Sequence, residues 1–178
     1  MRLFLALELP AATASSIGVW RDRSVSSTGR PVPVANFHVT LAFIGRLQPR
    51  KLEALADAVA ASCMNDHFHA DALLLDQIGF WPKPGILWLG PQQWSNNLAK
   101  LASRLQHTAQ AFGAAADKRP YQPHVTLYRG CDLPPPHPVL APHFRFAFEQ
   151  VVLYESQSGR SGVSYHCIEH FPLVKSAG

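Results

Sequence analysis

The sequence lacks most of the features that assign a protein at sight. It holds three cysteines, Cys63, Cys131 and Cys167, far apart and with no C-x-x-C among them. An odd number at such spacing argues against a disulfide framework and a cysteine-built zinc site, and fits three reduced thiols. Charge is scarce, at 16% of residues, and no extended run of Lys or Arg forms a nucleic-acid arm. Any positive potential offered to a polyanion must be assembled in space, from a net charge of +4 and a pI near 9.2. Long apolar runs are also missing; nothing approaches the ~20 residues that span a bilayer. The opening MRLFLALELPAA has the Arg and apolar stretch of a weak secretion signal, but Glu8 interrupts it. No targeting signal is read, and the cytoplasm is the expected location.

What is present is a folding composition. Apolar residues make up 47% of 178 positions, enough for one well-packed unit, and residues 1–178 are expected to form one domain. Arg2–Leu9 reads as a strand closed by Pro10, 12–25 as a helix, 26–35 as a Gly/Pro loop, and Phe37–Ile44 as a strand ended by Gly45. Pro49 opens a helix with an apolar stripe at Leu52, Leu55, Ala56, Val59 and Cys63. Residues 67–90 read as a hairpin around the 81–85 turn, and 93–112 as the most regular helix, with Trp94, Leu98, Leu101, Leu105 and Phe112 near a 3.6-residue period. The proline-rich 131–142 is an extended surface loop, and 144–154 with 163–171 form a closing hairpin around 156–162.

One tetrapeptide occurs twice. His38-Val39-Thr40-Leu41 and His124-Val125-Thr126-Leu127 are identical, and each follows a strand ending in Pro, a helix and a loop. This suggests two copies of one β-α-β unit about a pseudo-two-fold. The hairpins make the sheets antiparallel, so the expected class is α+β: two pseudo-symmetric lobes, each an antiparallel sheet flanked by helices, with a cleft between. Strand alternation puts Val and Leu on one face and His and Thr on the other. An isolated strand histidine is most simply structural. Packing alone, however, would repeat the Val/Leu face and leave the outward residues free, and here His and Thr are repeated too.

These motifs resemble those of the two-histidine (2H) phosphoesterases, and within them the bacterial RNA 2′,3′-cyclic phosphodiesterases, also called 2′-5′ RNA ligases. The likeness extends over RLFLALELP, HVTLAFIG, the WLG at 88–90, Pro120 to Arg129, and LYESQSGRSGVSY at 153–165. The resemblance implies a bilobal fold with both H-x-T motifs in its cleft, His38 and His124 as catalytic acid and base, and Thr40 and Thr126 as donors to phosphate. It implies hydrolysis of 2′,3′-cyclic phosphate RNA ends to 2′-phosphates, with ATP-independent 2′-5′ joining as the reverse, and no metal or cofactor. The expected partner is RNA with 2′,3′-cyclic phosphate ends, tRNA halves being one such class; no membrane partner is expected, and a monomer is the expected state. By the family order His124 is the base and His38 the acid; nothing in the residues distinguishes them.

The chemistry suits these residue types. Opening a cyclic phosphate with water needs one proton removed and one supplied, and histidine can begin in either state near neutrality. Arg129 is expected to contact phosphate, as the resemblance implies, although regular alternation turns it away from His124. Tyr128 has the parity of His124 and could edge the cleft, and Trp81 and Phe4 could stack on a base. His67 and His69 have a His-x-His spacing but no carboxylate partner motif, so no metal site is expected there. His166 and His170 share a face of the last strand. Competing readings are a phosphodiesterase for small cyclic nucleotide phosphates, a non-catalytic nucleotide or RNA binding module, and a His-ligated metal hydrolase.

Overall fold

The structure is a computed structural model and describes residues 1–65 and 67–176. Ten strands and three α-helices follow the order β1 (Arg2–Glu8), α1 (Ala11–Ser24), β2 (Arg30–Pro31), β3 (His38–Arg46), α2 (Leu52–Asn65), β4 (Asp71–Leu75), β5 (Gln77–Trp81), β6 (Ile86–Gly90), α3 (Asn96–Ala111), β7 (Val125–Arg129), β8 (Phe144–Phe148), β9 (Gln150–Gly159) and β10 (Gly162–Pro172). Two four-stranded sheets run β10-β9-β1-β3 and β2-β7-β6-β5, and β4 and β8 form a small third sheet. The pairings between these strands are antiparallel. The chain is thus α+β, as expected.

The two repeats are built alike. In the first, β1 pairs with β3; in the second, β6 pairs with β7. Leu3, Leu5 and Leu7 of β1 and Leu87 and Leu89 of β6 point into the core and are almost wholly buried. Each such leucine contributes ~1.5–3 kcal/mol relative to exposure. The helices hold the halves together. α3 belongs to the second repeat by sequence but packs on β3 of the first, and β3 touches β7. Its buried stripe is Leu98, Leu101, Ala102, Leu105 and Ala109, and Ser95 caps it by accepting from the Leu98 amide at 3.1 Å. Trp94, expected inside this helix, precedes the cap.

The other departures occur where strands break. The 67–80 stretch divides at Asp76 into β4 and β5, and 144–154 divides at Glu149 into β8 and β9, so that β4 can leave its hairpin neighbour and pair with β8. The closing hairpin turns only after Gly159, not from 156. The proline-rich loop lies across α1, with the Trp20 indole donating to the Leu140 carbonyl at 2.7 Å and the Val139 amide to Ser24 at 2.8 Å. A bulge between Cys167 and Glu169 puts His166 opposite Glu155 and His170 opposite Val152. The two histidines therefore lie on opposite faces of β10, not on one.

Candidate active site

Each H-x-T strand carries the same irregularity. Along β1 and β3, Ala6 pairs with Thr40 and Leu5 with Ala42, leaving Leu41 as the extra residue. Along β6 and β7, Trp88 pairs with Thr126 and Leu87 with Tyr128, leaving Leu127 extra. Both motifs therefore end in a β-bulge at the same leucine. Burial repeats the correspondence: 38–43 and 124–129 share one sequence, half-buried, buried, half-buried, buried, buried, exposed.

The bulge resets the alternation and settles the parity of Arg129. Beyond Leu127, Tyr128 lies opposite core-facing Leu87, and Arg129 returns to the face of His124 and Thr126. Tyr128 is consequently not a cleft residue. Its ring is in the core, with the Arg21 guanidinium 5.5 Å from its centroid. Arg129 is exposed, and its charge acts on both His38 and His124. In the first repeat the corresponding position is Phe43, 72% exposed.

Each bulge carbonyl is held by the other repeat's helix. The Leu41 carbonyl accepts from the Gln106 side chain of α3 at 3.1 Å. The Leu127 carbonyl accepts from the Val32 amide at 2.9 Å and from Arg21 Nη1 of α1 at 3.3 Å. The Tyr121 hydroxyl, from the loop entering β7, donates to the Thr40 carbonyl at 2.8 Å.

The imidazoles are oriented in one way. His38 Nδ1–H donates to the Asn36 carbonyl and His124 Nδ1–H to the Gln122 carbonyl, each at 2.8 Å. A carbonyl can only accept, so both neutral rings carry the proton on Nδ1 and leave Nε2 basic. Asn36 and Gln122 are themselves tied down: the Asn36 amide donates to the Val163 carbonyl at 2.9 Å, and Gln122 to the Pro91 and Pro123 carbonyls at 3.2 and 3.0 Å. Nε2 of His38 accepts from the Thr40 hydroxyl at 2.9 Å. No corresponding bond joins Thr126 to His124 among the described residues.

Burial is the main cause of depressed basicity at both rings. His38 is lowered to about 4, by desolvation first, then by the His124 and Arg129 charges, against the Asn36 hydrogen bond. His124 is lowered by desolvation, then by Arg129 and Arg119, against the Gln122 hydrogen bond. A charge on His124 adds to the opposition to protonating His38.

The surroundings differ between the halves. Phe4 packs 5.0 Å from His38 and is only 4% exposed, enclosed also by Tyr154 at 5.4 Å and Tyr165 at 4.9 Å. It is a floor under the imidazole and has no open face for a base. Tyr165 also meets His38 edge-on at 5.1 Å. Trp81 meets His124 edge-on at 4.7 Å and is half-buried, so it retains a free surface beside the ring. Trp88 stands 5.3 Å behind it. It lies over Gly79, where an added Cβ would come within 2.0 Å of the indole. Trp88, Phe43, Tyr154 and Tyr165 were not among the expected site residues. The Ala6–Thr40 and Trp88–Thr126 register would have revealed Trp88, had the strand pairing been known.

Two imidazoles with basic Nε2 atoms, an adjacent guanidinium and paired threonines are chemically suited to two-histidine acid–base work. The comparisons agree with that class. Residues 9–160 match the family model of the 2'-5' RNA ligase superfamily. The chain is 32% identical over 98% of its length, and 97% of the relative's, to the RNA 2',3'-cyclic phosphodiesterase of Escherichia coli K12. It is 28% identical to that of Geobacillus stearothermophilus, of which it covers 57%. The crystal structure of E. coli LigT with 3'-AMP superposes with a TM-score of 0.86 at 31% identity, covering 97% of both chains. A crystal structure described as a phosphoesterase gives 0.87 at 31% identity, covering 97% and 98%. The chain belongs to the 2'-5' RNA ligase superfamily.

Proposed function

We propose that this protein is an RNA 2′,3′-cyclic phosphodiesterase that opens cyclic phosphate ends to 2′-phosphates. The observation that carries the reading is the matched presentation of His38 and His124, each with Nδ1 pinned to the carbonyl two residues before it, so that Nε2 is the basic nitrogen on both rings. Names of the relatives, each an RNA 2',3'-cyclic phosphodiesterase, supply the substrate class. Residues 1–178 act as one bilobal unit, since each half's motif is braced by the other half's helix.

In the forward reaction His124 Nε2 takes a proton from water as its oxygen attacks phosphorus. The P–O3′ bond breaks, and His38 delivers its Nε2 proton to the departing O3′. One proton enters, one leaves, and the products are a 2′-phosphate and a 3′-hydroxyl. No step requires a metal or nucleotide. Each transfer contributes ~10²–10⁴-fold. The Thr40 and Thr126 hydroxyls donate to non-bridging oxygens, Thr40 exchanging its bond to His38 for one to phosphate, and Arg129 stabilises the accumulating charge. Trp81 offers its open face to a base. With an RNA 5′-hydroxyl replacing water as the nucleophile, the same proton transfers form a P–O5′ bond, break P–O3′ and leave a 2′-5′ linkage without ATP. His38 begins with its basicity depressed, so its acid role depends on the bound phosphate, whose charge opposes that of the neighbouring cations and restores the proton.

The test is to incubate the protein with RNA ending in a 2′,3′-cyclic phosphate and identify the monoester. A 2′-phosphate is expected. A 3′-phosphate would overturn the direction of opening, and no product would overturn the activity.

A further inference from the structure

β2 consists of Arg30 and Pro31 alone, and its pairing sets Arg30 directly opposite Arg129. Cross-strand partners share a face, so both side chains leave the sheet on the side that carries His124 and Thr126. Like charges directly opposite one another destabilise a sheet. Neither arginine has an ion-pair or hydrogen-bond partner among the described residues.

This costly pair is firmly built. The Val32 amide is tied to Leu127, the Asp132 amide donates to the Thr28 hydroxyl at 3.0 Å, and the Gly29 amide donates to Ser27 Oγ at 3.0 Å. A Cβ at Gly29 would come within 2.6 Å of the Arg129 carbonyl, so only glycine lets this segment lie so close. At Gly130, with φ of 68°, a Cβ would approach Arg30 Nη1 to 3.0 Å. The segment holds a second cation beside Arg129 at a cost in repulsion that an anion would relieve. Arg129 acts on both imidazoles, whereas Arg30 is not among the groups that perturb either. Arg30 is one strand spacing, ~4.8 Å, further out.

Resting on the phosphodiesterase reading, we propose that Arg30 and Arg129 form a two-phosphate clamp, in which Arg129 meets the cyclic phosphate and Arg30 the phosphate on the 5′ side of the same nucleoside. A cyclic end has no chain beyond it, so the next phosphate can only be on that side. Arg30 is then a specificity residue that favours RNA ends over bare nucleosides, and it does not touch the reacting atoms.

The experiment compares adenosine 2′,3′-cyclic phosphate with the same nucleoside carrying a 5′-phosphate, in wild type, Arg30→Gln and Arg30→Lys, each checked for folding by circular dichroism. Wild type is expected to favour the 5′-phosphorylated substrate about tenfold in kcat/KM, through KM. Arg30→Gln should bring that ratio close to one, with Arg30→Lys between. On an oligonucleotide substrate the slope of log kcat/KM against log salt should fall by about 0.7 in Arg30→Gln. A wild-type ratio near one, or a ratio untouched by Arg30→Gln, overturns the clamp alone. If Arg30→Gln misfolds, the wild-type ratio and Arg30→Lys decide. A wild type that turns over neither substrate overturns the phosphodiesterase reading and the clamp with it.

Discussion

The two H-x-T strands are alike in backbone and unlike in surroundings. Both place a bulge at the motif leucine, both orient the imidazole through the carbonyl of an anchored amide residue, and both borrow a brace from the opposite repeat. They differ in what stands beside the motif. The first has Ala6 opposite Thr40, an aromatic floor of Phe4 and Tyr165, exposed Phe43, and a neutral brace in Gln106. The second has Trp88 opposite Thr126, Trp81 at the ring edge, Arg129 in the position of Phe43, and a cationic brace in buried Arg21. A symmetric pair could present two equivalent bases but could not tell the two oxygens of a phosphodiester apart. On the proposed mechanism, repetition supplies the proton-transfer geometry, and the asymmetric flanks supply a direction.

The largest effect should come from removing either shared element. His38→Gln and His124→Gln are each expected to reduce kcat by ~10²–10⁴-fold, with circular dichroism spectra unchanged because both rings face the cleft. Near-wild-type single-turnover rates in either variant would break the equivalence of the motifs. The asymmetric positions should separate next. Arg129→Gln is expected to lose ~10²-fold in kcat, the scale of one charge-stabilising donor. Phe43→Ala should cost only a few-fold, seen in KM. Equal losses at these two positions would mean that the flanks do not divide the work.

The braces should differ as well. Arg21 lies over the Phe37 and Tyr128 rings while binding the Val32 and Leu127 carbonyls. Arg21→Gln is expected to lower stability by ~1–3 kcal/mol and turnover about tenfold, because the bulge that aims Arg129 loses its support. Gln106→Leu, which gives up one neutral hydrogen bond, should cost ~1 kcal/mol. Urea denaturation of both variants orders them; a larger loss for Gln106→Leu would contradict the view that the cationic brace dominates.

Much of this site was legible in the sequence because it obeys short-range rules. His38, Thr40, His124 and Thr126 were singled out through repetition and strand alternation, and the buried stripe of α3 through its period. Tyr128 and Arg129 were harder because a bulge breaks the two-residue period. What holds each bulge, Gln106 for Leu41 and Arg21 for Leu127, lies far away in sequence. The same kind of break separated His166 from His170. Trp88 and Arg30 are site-facing only through their cross-strand partners, Thr126 and Arg129, and pairing is not written in a single strand. The pairing of β4 with β8 was hidden for the same reason.

Titration should sharpen the comparison by the smallest margin. In the free protein both imidazoles are less basic than usual, His38 reaching about 4, so at pH 7 both are neutral and the singly protonated form grows as pH falls. The basic limb of kcat/KM, which reports the free protein, should therefore lie below the ordinary histidine value of ~6.5. A bound cyclic phosphate brings negative charge to the same place and favours the protonated ring, so the basic limb of kcat should lie at higher pH than that of kcat/KM. The same shift carries a stability sign. Between pH 6.5 and about 4 the unfolded chain binds the proton that folded His38 refuses, so stability is full above that window and declines as pH falls through it. Inorganic phosphate should recover part of the loss by raising the folded-state value. Coincident limbs for kcat and kcat/KM, with no protection by phosphate at pH 5, would show that the anion does not sit between the two rings, and the acid role of His38 would fall with it.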